Sequence, residues 1–328
     1  MQVNPVLVEV ERSGFVESWH RGSAIGLDAG GSAAVRTGTP DAPIFPRSAN
    51  KPMQAVAMLR SGLDLAGELL ALAAGSHSGE GFHVEGAEKI LAGAGLSADL
   101  LQCPAQWPLE PEVGLDVARG GGGRSRLRMN CSGKHAGMLA ACVVAGWPTD
   151  SYLNPEHPLQ LAVRAVVEEL SGEKPVTVGV DGCGAPLFAI SATGVARAFR
   201  ALVLAAPGTP ERRVADAMRD HPAWTSGTRR EERRLMDAVP GLLVKCGAEG
   251  VDAFAYADGR AGVVKVDDGS MRARTPVTVA LVRALGIDTA PDVDTAVLEE
   301  LATVPLHGGD ATVGAIRPAE GLFGARGA

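Results

Sequence analysis

The sequence predicts an α+β fold in which a mostly antiparallel sheet is flanked by helices. Strand-like segments lie near both ends of the chain, whereas helical segments fill most of the middle. Strands joined by short turns pair in antiparallel fashion, so the two ends can build one sheet on which the helices pack. We find no linker that divides the chain, and we expect residues 1–328 to form a single domain with a flexible tail over about 318–328.

The elements follow in order along the chain. Residues 6–10, 23–27 and 33–37 predict the strands of an antiparallel meander. Pro52 then suits the first turn of a helix. Further helices are predicted over about 83–94, 129–145, 159–170, 187–205, 210–220, 229–238 and 292–302. A strand over 176–180 and a hairpin over 253–266 are also predicted. Thr275 and Pro276 predict a helix start, as N-cap and first helical residue.

Composition and charge exclude several classes of protein. The 328 residues carry a formal net charge of −7, which argues against nucleic-acid binding as the main task. We expect no transmembrane helix, because the sequence has no apolar run of about 18 residues. The N-terminus shows no secretory pattern. Five cysteines in a chain of this length do not resemble a disulfide framework, so we expect a cytoplasmic protein with reduced thiols.

Three polar segments indicate nucleophilic catalysis. Ser48 precedes Lys51 by three residues, a spacing in which a neutral lysine amine can take the serine proton. Ser76 and then Lys265 follow in the order of the Ser-x-x-Lys, Ser-loop and Lys-strand motifs of β-lactamases and penicillin-binding proteins. The ordinary explanation is that the two serines are turn or cap residues and that Lys265 is a surface lysine. Pro52 directly follows Lys51 and disfavours a continuous helix through that residue.

Two cysteines lie in glycine-punctuated loops and indicate a metal site. Cys131 and Cys183 could bind zinc as thiolates, with His135 or a neutral lysine as third ligand. The spacing is not that of a paired Cys-x-x-Cys site, so the alternative of two buried apolar cysteines stays open. A third option is that Cys131 acts as an acyl-forming nucleophile with His135.

Several of these segments together resemble the rhizobial-type L-asparaginases, also called asparaginase II-like or thermolabile asparaginases. The resemblance extends from about residue 6 to 316. It is carried by Arg47-Ser48-Ala49-Asn50-Lys51-Pro52, Ser76-His77-Ser78, Asn130-Cys131-Ser132-Gly133-Lys134-His135, Asp181-Gly182-Cys183 and Lys265-Val266-Asp267-Asp268-Gly269.

The resemblance implies a serine β-lactamase-like fold, a homodimer and the hydrolysis of L-asparagine to L-aspartate and ammonia. It implies two serine–lysine pairs, Ser48 with Lys51 and Ser76 with Lys265. It further implies a zinc site beside them, which supports substrate binding without being strictly required. The implied zinc ligands are Cys131, Lys134 and Cys183, and the implied substrate-binding residues are Arg47, His135 and Asp181.

Two other functions remain open at this point. One is a β-lactamase-like or peptidase-like acyl transferase that acts on another amide. The other is a non-catalytic protein that binds zinc or an amino acid, although binding alone gives no reason for two serine–lysine pairs. The chain also differs from the family pattern at the glycine run 120–123, at Cys246 and at Gly184.

Overall fold

The structure is a computed structural model and describes residues 3–324. In this part of the chain the strands are β1 Val6–Arg12, β2 Phe15–Leu27, β3 Ala33–Thr37, β4 Pro43–Ile44, β5 Val178–Val180, β6 Pro186–Phe188, β7 Ile190–Ser191, β8 Leu243–Gly247, β9 Val251–Ala255, β10 Ala261–Val266, β11 Val304–Gly308 and β12 Ala311–Pro318. The helices are α1 Lys51–Arg60, α2 Gly67–Ala74, α3 Gly81–Gly93, α4 Pro111–Arg119, α5 Ser132–Ala145, α6 Pro158–Ser171, α7 Ala192–Leu204, α8 Pro210–Asp220, α9 Pro222–Thr225, α10 Glu231–Ala238, α11 Met271–Ala284 and α12 Thr295–Leu301. Short 3-10 helices lie at Arg47–Asn50, Ala98–Leu100 and Ile287–Thr289.

The chain divides into two compact units. The first unit comprises the residues up to 49, residues 190–204 and the residues from 234 onward. The second comprises residues 50–189 and 205–233. The assignment of residues 1–328 to a single domain stays a prediction. Within the predicted tail, residues 319–324 form turns, and residues 325–328 lie outside the described residues.

The first unit contains the large sheet, which confirms the predicted α+β class with strands from both ends of the chain. Its strand order is β11-β12-β1-β2-β10-β9-β8, with β3 paired to β2, and neighbouring strands are antiparallel. Alternate residues of a strand point to opposite faces. Val264 and Val266 therefore pack into the core cluster that includes residues of α11 and α12, while Val263 and Lys265 point to the other face.

The second unit is mainly helical. Helix α1 packs against α2, α5, α6 and α8, and α2 also packs against α3, α5 and α9. Gly133 permits the close approach of α5 to α2, because a Cβ there would lie 2.5 Å from Leu72 Cγ and 2.8 Å from Leu72 O. This contact brings the end of α2 and the start of α5 side by side.

Two element predictions are wrong. Helix α11 begins at Met271, so Pro276 lies inside it and Thr275 is not its N-cap. The additional first turn carries Arg274, which donates to the buried carboxylate of Asp252 at 2.6 Å, a tertiary contact that no local pattern reveals. The helix predicted over 187–205 begins only at Ala192, because the residues before it pair as β6 and β7 with other strands.

Candidate active site

In the second unit, the segment that follows α2 carries Ser76 past Thr225. The Ser76 amide donates to the Thr225 carbonyl at 2.8 Å. A Cβ on Gly75 would lie 2.4 Å from that same oxygen, so only glycine permits this close approach. The backbone at Ser76 is thereby fixed directly beyond the end of a buried helix.

Lys51 begins α1 and is 1% exposed. Its Nζ donates to Gly75 O at 2.6 Å and to Asn130 O at 3.3 Å, and it lies 2.9 Å from Ser76 Oγ. A buried amine requires such partners, because its transfer from water is otherwise costly. The structure therefore brings together Lys51 and Ser76, which the family resemblance assigns to two different serine–lysine pairs.

The turn before α5 supplies the carbonyl of Asn130 and, one residue later, Cys131. Both Cys131 and Cys183 are buried, and Lys134 Nζ lies 2.9 Å from Cys183 Sγ. Lys134 is only 1% exposed. The three predicted zinc ligands therefore meet in one enclosed cluster of the second unit.

The two thiols of this cluster differ in their pKa. A hydrogen bond from Cys131, together with the Lys134 charge, lowers the pKa of Cys183, whereas the same hydrogen bond and burial raise that of Cys131. Burial lowers the pKa of Lys134, but the Cys183 and Cys131 sulfurs outweigh burial and raise it overall. The two shifts have opposite directions, so Cys183 loses its proton more readily than Cys131.

His135 is held by Tyr152. The Tyr152 hydroxyl accepts a hydrogen bond from the Gln102 amide at 3.0 Å and lies 2.7 Å from His135 Nδ1. This contact and the buried surroundings hold the ring in place. Burial and the Lys134 charge also lower the pKa of His135 to about 4. The ring also interacts with the Cys183 sulfur, and this interaction opposes the lowering of the pKa of His135.

Among the described residues, no group of three His, Cys, Asp or Glu side chains could hold a metal ion. The donors that do meet are two cysteine sulfurs and the Lys134 amine. Sulfur and nitrogen donors suit zinc, provided that the thiols and the amine lose their protons. This set therefore fits the metal with Lys134 as third ligand.

Asp181 and Cys183 lie in one tight turn after β5. The Gly184 amide donates to the Asp181 carbonyl at 2.8 Å, and Gly184 has a positive φ of 89° that favours glycine. The departure from the family pattern at Gly184 therefore has a conformational basis. Asp181 contributes to raising the pKa of Lys134, which places its carboxylate near the cysteine cluster.

Cys103 is a member of this neighbourhood that sequence reasoning missed. It is buried, and burial followed by the Cys183 charge raises the pKa of its thiol to about 11. Its sulfur lies 3.6 Å from Arg126 O. No local pattern marks this cysteine, since it comes from a proline-rich segment without polar motif residues.

In the first unit, Arg47 and Ser48 lie in the 3-10 helix that immediately precedes α1 in the chain. Arg47 has a φ of 52°, a left-handed conformation that costs a non-glycine residue about 1–2 kcal/mol. Backbone strain of this kind is often concentrated at functional sites. Gly247 makes room for the segment, because a Cβ there would lie 2.3 Å from Pro46 O and 3.3 Å from Arg47 Cβ.

Lys265 lies on β10 in the same unit and is half-buried. Burial lowers its pKa, and the charges of Asp267 and Glu249 oppose this shift. Its Nζ donates to the Val266 carbonyl. Arg47 lies 3.6 Å from the same Glu249, so both predicted site residues adjoin one carboxylate.

A second lysine of the first unit was missed. Lys245 lies on β8, is 2% exposed and donates to the Cys246 carbonyl at 2.7 Å. In the strand register, Lys245 pairs with Ala253, and Ala253 pairs with Val263. Lys245 therefore points to the same face of the sheet as Val263 and Lys265. Lys245-Cys246-Gly247 is a Lys-x-Gly sequence on a strand, and this spacing was the signal that could have identified it.

The family model for L-asparaginase II matches residues 8–318 of the sequence. The chain belongs to the L-asparaginase II family. This membership confirms the resemblance on which the site residues were predicted and supports an amidohydrolase activity. The individual roles of the residues stay predictions.

Other comparisons add little to the L-asparaginase II assignment. None of the curated proteins matches the sequence. A solved structure described as "putative beta-lactamase from Bacteroides dorei DSM 17855" aligns with a TM-score of 0.41 and 13% identity, over 75% of this chain and 84% of that one. This likeness is too distant to assign an activity. Across residues 3–324, no helix combines the length and apolar character needed to span a bilayer.

Proposed function

We propose that this protein hydrolyses the side-chain amide of L-asparagine, producing L-aspartate and ammonia through a covalent acyl-enzyme. The supporting observations are the family membership and the buried contact between Lys51 and Ser76. The contact carries the proposal, because a fully enclosed lysine 2.9 Å from a serine hydroxyl is an arrangement that proton transfer requires.

The reaction proceeds in two steps. Ser48, three residues before Lys51, attacks the amide carbon while Lys51 takes its proton. The carbon–nitrogen bond then breaks, and the leaving nitrogen takes a proton from Lys51 and departs as ammonia. Water attacks the resulting ester and gives a proton to Lys51. The ester bond to Ser48 then breaks, Lys51 returns the proton to the Ser48 oxygen, and L-aspartate leaves. Ser76 shares the proton relay.

In the proposal, Lys51 acts as a base in its neutral form. Such an amine has two hydrogens and one lone pair. Gly75 O and Asn130 O only accept, so they can take the two hydrogens. In the proposal, the lone pair of the neutral amine accepts the proton of the serine hydroxyl.

The remaining site residues have supporting roles in the proposal. Arg47, His135 and Asp181 contribute to substrate binding. Cys131, Lys134 and Cys183 would hold zinc, which as a Lewis acid stabilises negative charge when it is bound. Lys265 is the predicted second lysine, and the buried Lys245 is an additional candidate for that role because of its Lys-x-Gly spacing. The homodimer and the cytoplasmic location rest on the family resemblance and the cysteine pattern.

The experiment is to measure ammonia release from L-asparagine by the wild-type protein and by Ser48→Ala. We expect the substitution to lower kcat by about 10³-fold or more, because the nucleophile is lost. Ser61→Ala is the matched control, since Ser61 Oγ only donates to Ala57 O in α1 at 2.8 Å. Wild-type turnover by Ser48→Ala would end the assignment of the nucleophile, and an inactive wild-type protein would end the proposed function.

A further inference from the structure

Two fully buried histidines are stacked in the second unit. The ring centroids of His77 and His83 are 4.9 Å apart at an interplanar angle of 20°, and both residues are 0% exposed. His77 directly follows Ser76, whereas His83 lies on α3. The mechanism proposed above uses neither ring.

The hydrogen bonds of His77 fix its tautomer. The Ser132 hydroxyl lies 2.7 Å from Leu127 O, which can only accept, so the hydroxyl hydrogen points there. Ser132 Oγ must therefore accept from His77 Nε2, which lies 2.9 Å away. Nδ1 is buried without a hydrogen-bond partner. Burial holds the pKa of His77 well below its usual range, because a charged ring would lose its hydration, so the ring stays neutral.

His77 is bonded to the turn 127–132 at both its backbone and its ring. Its amide donates to Asn130 O at 3.1 Å, and its ring donates to Ser132. Asn130 O is the same oxygen that accepts from Lys51 at 3.3 Å. The turn 127–132 thus carries one hydrogen-bond acceptor of Lys51. The hydrogen bond of the His77 ring connects the end of this turn to the segment that contains Ser76.

We propose that His77 is a positioning residue. Its Nε2–H donates to Ser132 and thereby holds the Asn130 carbonyl in place, and this carbonyl in turn holds Lys51 next to Ser76. This inference rests on the proposed function. Loss of the ring hydrogen bond leaves Ser132 without its donor and allows the turn to shift. Displacements of about 1 Å at a reacting group can lower rates by about 10²-fold.

The test compares His77→Leu with His77→Gln in ammonia release from L-asparagine. Leucine fills space but cannot donate, whereas the glutamine amide can replace Nε2–H. We expect His77→Leu to lower kcat by about 10- to 100-fold with KM changed by less than about threefold. His77→Gln should recover most of kcat. Ser132→Ala should have a similar effect, and His77→Leu with Ser132→Ala should lower kcat no further than either alone.

His83 supplies the matched control. It is equally buried, it also has an unpaired Nδ1, and its Nε2 donates to Ala223 O at 3.0 Å instead of to the turn. His83→Leu should destabilise the fold to a similar extent and leave kcat within about threefold of wild type. The inference would be overturned if folded His77→Leu kept the wild-type kcat, or if His77→Leu and His83→Leu lost kcat equally. It would also be overturned if His77→Gln recovered no activity. Inactivity of the wild-type protein towards L-asparagine would instead reject the proposed function.

Discussion

Lys51 of the second unit and Lys265 of the first are both predicted catalytic lysines, yet their surroundings differ. Lys51 is 1% exposed and lies among two backbone carbonyls and the Ser76 hydroxyl. Lys265 is half-buried, donates to the carbonyl of its neighbour and is surrounded by acidic side chains. A base needs fixed geometry and a lone pair aimed at its proton donor. The comparison indicates that Lys51 is organised for this task, whereas Lys265 retains part of its contact with solvent.

The largest expected loss of kcat distinguishes the roles of these two lysines. Lys51→Met should lower kcat for L-asparagine by about 10²- to 10⁴-fold, since it removes the general base and leaves the Ser76 hydroxyl without its partner. Lys265→Met should lower kcat by about tenfold or less. Ammonia release at saturating substrate measures both values.

Folding of each variant is checked by urea unfolding, because Lys51→Met also removes the donor to the buried Gly75 carbonyl. Equal losses of kcat in folded Lys51→Met and Lys265→Met would remove the distinction between them. Activity that survives Lys51→Met would contradict the assignment of the base.

A smaller effect, a loss of folding stability, should appear at acidic pH and should arise from His83 in the second unit. Burial lowers the pKa of His83 to about 4, from an ordinary value near 6.5. Between about pH 4 and pH 6.5, His83 therefore carries a proton in the unfolded chain but not in the folded chain. Stability is retained above pH 6.5 and falls as the pH drops toward 4, by about 3 kcal/mol from this group.

The measurement is the free energy of urea unfolding between pH 4 and 7 for the wild-type protein and for His83→Gln. The free energy of unfolding of the variant should fall less steeply with decreasing pH. The difference in slope should correspond to about one bound proton. Leu70→Ala, which removes buried apolar volume from α2, serves as control and should lower stability by a similar amount at every pH. An unchanged pH slope in His83→Gln would show that the ring does not titrate as inferred.

Local sequence patterns predicted much of the architecture. Alternation and turn residues identified the antiparallel meander, and Pro52 at the first turn identified α1. The family resemblance named Cys131, Lys134 and Cys183, whose side chains meet in the second unit, and their role as zinc ligands stays a prediction. The strand and helix predictions are confirmed where a pattern depends on contacts within one element.

Features that depend on distant contacts were not predicted. The start of α11 moves to Met271, where Arg274 can reach the buried carboxylate of Asp252. Cys103 approaches Cys183 without any marking motif. The contact of His135 with the Tyr152 hydroxyl joins residues that are seventeen positions apart in the chain. Lys245 carried a usable Lys-x-Gly signal, but its burial depends on the packing of the whole sheet.

The central claim, a covalent acyl-enzyme, is tested most directly by adding hydroxylamine during turnover of L-asparagine. Hydroxylamine competes with water for an ester on the enzyme, and it does so after ammonia has left. The account predicts that aspartyl hydroxamate forms at the expense of L-aspartate, with both products absent in Ser48→Ala. Ammonia release at a normal rate with no hydroxamate at any hydroxylamine concentration would contradict the account and would indicate direct attack by water.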